Sequence, residues 1–259
     1  MTPDLSVPNI FKKTFSTFFM KLHIIIPAIC ILCILPVIST LLQDIENSGV
    51  IKHPGLYMAT GLFSFIINPI LFIGFAHLLA KLNRNEKAGV MSLFSSFKHP
   101  FKCWFIYILY MLICIAGTLF FIVPGILLGL GLYTVLYLAL DEGHGIFDSF
   151  SRAWTLTKGY KLSIFGNSIL MITLLFGIMM VAMLFMFAPI VAQPYNPSYT
   201  PNLTTTFALL ILTFLCNGVY FSFGASMYNE LRKVDYTDSE NTEDESHTVD
   251  PYKAFEENN

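Results

Sequence analysis

The sequence predicts an all-α membrane protein with six transmembrane helices arranged as three hairpins, each preceded by a cytoplasmic amphipathic interfacial helix. Three observations carry this prediction. Residues 22 to 43, 53 to 80, 103 to 140 and 162 to 229 contain no Asp, Glu, Lys or Arg, and a helix needs only about 20 mostly apolar residues to cross ~30 Å of hydrocarbon. Proline and glycine punctuate the two longest runs, and the basic residues fall on alternate loops. Long Leu, Ile and Phe runs without strict alternation exclude a barrel, so backbone polar groups must be paired within helices.

The spans follow in order. The first two charge-free runs give helices over 22 to 42 and 57 to 80. Asn68-Pro69 lies inside the second, and because proline frees a carbonyl one turn back, a kink is expected there. The third run divides at Pro124-Gly125, giving a tight hairpin of spans over 103 to 122 and 125 to 140. The fourth divides at residues 189 to 202 (PIVAQPYNPSYTPN), whose prolines suit a solvated loop between spans at 162 to 188 and 205 to 229.

Orientation comes from the cations. Lys12, Lys13 and Lys21 precede span one; Lys81, Arg84, Lys87, Lys98 and Lys102 lie between spans two and three; Arg152, Lys158 and Lys161 lie between four and five; Arg232, Lys233 and Lys253 follow span six. Lys52 alone falls on the other side, so the positive-inside rule puts both termini in the cytoplasm. The first span follows 21 residues and lacks a small-residue cleavage motif, so it is expected to stay as an anchor. The membrane domain is expected to occupy residues 1 to 234. Residues 235 to 259 carry nine carboxylates against one lysine and show no apolar periodicity, which predicts a disordered acidic tail able to meet a partner.

A weak repeat precedes the odd-numbered spans. Residues 6 to 21, 89 to 102 and 145 to 161 each place aromatic residues at helical spacing and end on a basic residue. An aromatic face opposite Lys and Arg suits a helix lying in the headgroup layer. Phe11, Phe15 and Lys21, then Phe94, Phe97 and Lys102, then Phe150, Arg152, Trp154 and Lys158 are the candidate lipid-interface residues. The alternative is that these helices simply pack on the bundle.

The stretches SVPNIFKKTFSTFFMK, FFIVPGILLGLGLYTVLYLAL with its following GIFDSFSRAWTLTKG, and VYFSFGASMYNELRK together resemble the YciC-type bacterial inner-membrane proteins, a group related to membrane domains of glycerophosphodiester phosphodiesterases. The resemblance implies a helical fold and an inner-membrane location and carries no catalytic set. The acidic tail departs from it.

Nor do the residues supply a catalytic set. The sequence lacks H-E-x-x-H, G-x-S-x-G, phosphate-loop and dinucleotide-binding patterns, and a phosphodiesterase would need a soluble domain bearing metal ligands. Nothing points to a cofactor, a metal or nucleic acid. Cys30 and Cys33 have C-x-x-C spacing but sit mid-span, where small packing residues are the expected role. His23 and His77 are the ionisable groups inside spans and could face one another as a haem or proton-relay pair, with an interfacial hydrogen-bonding role the alternative. Asn68, Asn167 and Asn217 are expected to bond neighbouring helices. The expected function is non-enzymatic: contact with anionic lipids or scaffolding of other membrane proteins in envelope maintenance. A transporter of a small solute or lipid, and an accessory subunit of a separately encoded enzyme, are the alternatives.

Overall fold

A computed structural model describes residues 3–47, 54–120, 125, 128, 129, 131–141, 145–192 and 203–248. The described residues are mainly helical, without strands: α1 (Val7–Met20), α2 (Leu22–Asn47), α3 (Pro54–Asn83), a 3-10 helix (Val90–Lys98), α4 (Pro100–Phe120), α5 (Val135–Asp141), α6 (Ile146–Leu156), α7 (Lys161–Ala192) and α8 (Leu203–Thr248). Among them, five segments are long and apolar enough to cross a membrane: Leu22–Leu42, Met58–Asn83, Pro100–Leu119, Lys161–Leu184 and Ala208–Lys233. The chain is therefore a membrane-embedded helical protein.

Helix α3 is the hub. From Ile70 to Leu82 almost every residue is buried, because this stretch is apolar all round and has no polar face to turn outward. It packs against α2, the 3-10 helix, α4, α5 and α8. The outer helices α4 and α7 bury only 17% of their apolar windows inside the protein, as expected of helices whose remaining surface meets lipid.

Pro69 lies within α3 without ending it. Proline at this position removes the N–H that would bond the Phe65 carbonyl. Instead, the Trp104 indole N–H of α4 donates to that carbonyl at 3.4 Å, and the two rings meet edge to face at 5.9 Å.

The predicted elements differ from the observed ones at four places. The expected fourth span, 125 to 140, is not one uninterrupted helix: the chain turns at Tyr133 and Thr134 before α5 begins. Pro189 does not end its helix, since α7 continues to Ala192. The backbone of residues 235 to 248, where composition predicts disorder, continues in α8, and no Gly or Pro interrupts the sequence between Ala225 and Asp250. The second interfacial segment is a 3-10 helix, not an α-helix. Its serines favour the tighter winding: Ser95 and Ser96 each donate a hydroxyl to the carbonyl three residues back, at 2.7 and 3.1 Å. The absent side chain of Gly74 lets the Leu93 carbonyl reach α3.

The proposed turn at Pro124-Gly125 lies partly outside the described residues, because Pro124 is not among them. Gly125 is described and buried. A Cβ there would sit 2.6 Å from the Thr118 amide nitrogen and 2.7 Å from its Cα. One on Gly129 would lie 3.7 Å from the Cys114 sulfur. The two segments thus approach in antiparallel order, with backbone against backbone at Gly125.

Candidate functional site

A cluster of buried polar residues lies where α1, the end of α3 and α8 meet. Helix α1 starts after Ser6, whose amide donates to the Asp4 carboxylate at 3.1 Å; hydrogen bonding from Ser6 holds the Asp4 carboxyl below its usual range. Asn167 of α7 donates to the Leu5 carbonyl at 2.9 Å, anchoring the entry to α1. Phe11 meets Phe223 edge to face at 6.1 Å, and Ile10 packs with Ile164, Met227 and Leu231 in a satellite apolar cluster.

Beside this cluster runs a hydrogen-bonded ladder. Thr14 donates to Ser226 at 3.3 Å, Asn83 donates to Ser226 at 2.6 Å, Asn229 donates to the Ala80 carbonyl at 2.9 Å, and Arg84 donates to Asn229 at 3.2 Å. At its edge Glu230, with a side chain only 6% exposed, is ion-paired with Lys13 and, at 3.0 Å, with Lys233. Burial and the Lys233 ammonium push Lys13 down, to about 8, whereas the carboxylate in contact with it favours the charged form. The contact decides for the ionised pair, since a carboxylate between two ammonium groups keeps its charge at lower cost than an isolated one. Sequence pattern misses this site. Glu230 directly follows a charge-free run and reads as the first residue in water, yet Asn229 and Glu230 are both buried.

The predicted lipid-interface residues divide into two groups. Phe11, Phe15 and Phe150 are half-buried and pack on the bundle, so these rings hold the helices to the protein. Phe94, Phe97 and Trp154 are exposed. Phe150 and Trp154 were expected on one outward face; Phe147, 79% exposed, takes that place instead, because α6 buries Ser149 and Ala153 and draws Phe150 inward with them. Lys21, Lys102 and Arg152 are half-buried and Lys158 is exposed. The Lys161 ammonium lies 2.9 Å from the centre of the Trp154 ring, a cation–π contact that helical spacing does not reveal, because a turn at residues 157 to 160 separates the two helices.

The remaining candidates do not assemble a site. His23 is exposed and His77 is buried, so the two do not share an environment. Asn217 donates to the Thr213 carbonyl of its own helix at 2.8 Å rather than to a neighbour. Cys30 and Cys33 are free thiols on an apolar groove with Ile211 and Leu215. No cluster of three His, Cys, Asp or Glu residues able to hold a metal occurs among the described residues.

No family model, curated protein or solved structure matches the chain. The resemblance to YciC-type membrane proteins accordingly rests on the three sequence stretches alone.

Proposed function

We propose that the chain is a non-enzymatic inner-membrane protein that holds anionic lipid headgroups at its basic, cytoplasmic end, in support of envelope organisation. The observation that carries this reading is the exposure of Phe94, Phe97, Phe147 and Trp154 on two short helices that bear Lys98 and Arg152, with Lys158 in the turn that follows the second. Aromatic rings beside Lys and Arg match the boundary where acyl chains give way to phosphates. The basic asymmetry between loops favours both termini in the cytoplasm. The antiparallel approach around Gly117 and Gly125 supports a hairpin, and hence six crossings.

The test uses the full chain in nanodiscs containing brominated phosphatidylglycerol or brominated phosphatidylcholine, with quenching of tryptophan fluorescence as the readout. The wild type should be quenched more by the anionic lipid. Because each nearby cation contributes roughly 1 kcal/mol of attraction, the variant Arg152→Gln, Lys158→Gln, Lys161→Gln should lose most of that preference, and salt should weaken it in the wild type. Equal quenching by the two lipids in low salt would refute the reading.

A further inference from the structure

Between α4, the turn before α5 and α8 lies a cavity of about 300 Å³. Five tyrosines line it: Tyr107 and Tyr110 from α4, Tyr133 and Tyr137 from the α5 region, and Tyr220 from α8. Phenols cluster poorly by default in a membrane protein, because each hydroxyl needs a partner that hydrocarbon does not supply. Tyr137 has one, donating to the Phe221 carbonyl at 2.8 Å. The Tyr133 hydroxyl is buried and has no partner among the described residues, although its ring is fixed edge to face against Tyr137 at 6.3 Å. A phenol held in place with an idle donor at a cavity wall is suited to a ligand that supplies an acceptor.

The lining restricts what that ligand is. Among the described residues it includes no Asp, Glu, Lys or Arg, so a charged group entering it would lose hydration without gaining a counter-charge. Its walls are mostly aromatic, with Ser168 and the phenols as the polar points. Two lining residues, Tyr220 and Met111, are exposed on helices that are themselves long and apolar enough to span a membrane. The mouth therefore opens sideways toward acyl chains. A cavity of this size sits at the small end of ligand pockets; it fits a compact head whose tails leave through the mouth.

We propose that this cavity binds the carbonyl-bearing head of an uncharged membrane lipid, with the Tyr133 hydroxyl donating to a carbonyl oxygen. Ester carbonyls of a diacylglycerol and ring carbonyls of a prenylquinone share that chemistry. The site is separate from the headgroup surface at the basic end, so either can fail without the other.

The experiment is equilibrium binding of tritiated diolein, tritiated ubiquinone-2 and tritiated squalene to the full chain in dodecyl maltoside, by scintillation proximity. Diolein or the quinone should bind saturably, which identifies the carbonyl source, and squalene, which has no carbonyl, should bind at least about tenfold more weakly. Tyr133→Phe keeps the ring and removes the donor, and should weaken the preferred probe by about five- to tenfold. Absence of saturable binding by both carbonyl probes overturns the proposal, as does a folded Tyr133→Phe chain that binds within about twofold of wild type. Should Tyr133→Phe not fold, the wild-type comparison decides: equal affinity for squalene and the carbonyl probes overturns the proposal, and a tenfold preference upholds it.

Discussion

The ion cluster around Glu230 makes a non-additive prediction. Glu230 is 6% exposed at its side chain, Lys13 36% and Lys233 64%. Lys233→Met removes a largely solvated cation, and surface pairs of this kind contribute only about 0.2–1 kcal/mol. Lys13→Met removes the less exposed partner but leaves the carboxylate with Lys233, so the expected loss is about 1 kcal/mol. The double substitution takes both ammonium groups from a buried carboxylate, for which losses of about 3–5 kcal/mol are typical. The coupling energy should then exceed about 1 kcal/mol, well above the 0.3–0.5 kcal/mol scatter of independent sites. Adding Glu230→Gln to the double variant should recover part of the loss, because the charge needing compensation is gone. Unfolding of the purified chain by sodium dodecyl sulfate titration in mixed micelles measures all four variants. Additive losses, or no recovery with Glu230→Gln, would show that the carboxylate does not depend on these two cations.

Other positions give further tests. Trp104→Phe should destabilise the chain by about 1 kcal/mol in the same assay, since it removes the donor to the Phe65 carbonyl. In a Pro69→Ala background, where the backbone N–H returns, that penalty should vanish; an unchanged penalty would assign it to ring packing. Gly125→Leu should disrupt folding more than Gly177→Leu, because a Cβ at Gly125 meets Thr118 backbone atoms while one at Gly177 has open space; equal tolerance on thermal unfolding would count against the hairpin. In a cysteine-less chain, an impermeant maleimide applied to intact cells should label Ile45→Cys and Thr204→Cys and spare Asp238→Cys. Labelling of Asp238→Cys alone would invert the proposed orientation.

How much of this was legible in the sequence depends on the range over which the physics acts. Charge-free runs mark helices because lipid excludes ions one residue at a time, and the five apolar helices fall where four of those runs lie. Helix winding was less legible: serines at 92, 95 and 96 read as an ordinary polar face, whereas in the 3-10 helix Ser95 and Ser96 bond carbonyls three residues back. Burial of rings was legible as a period but not as a direction. Phe147 and Phe150 lie nearly one turn apart, and which of them faces the bundle is set by where Ser149 and Ala153 allow close approach.

What the sequence conceals most is the pairing of distant polar groups, and here the membrane setting explains why such pairs exist. The Trp104 indole satisfies a carbonyl that Pro69 frees from 39 residues away in the chain, and Lys13 meets Glu230 across 217. In water each of these groups would be solvated wherever it lay; close to hydrocarbon each needs a partner supplied by a different helix. Isolated polar residues in apolar spans are therefore better read as half of a pair than as loop residues. Tyr133 is the case that tests this view. Its hydroxyl is a buried donor with no partner among the described residues, and its neighbour Tyr137 is already bonded to the Phe221 carbonyl, so the missing half of its pair is expected to come from the lipid phase.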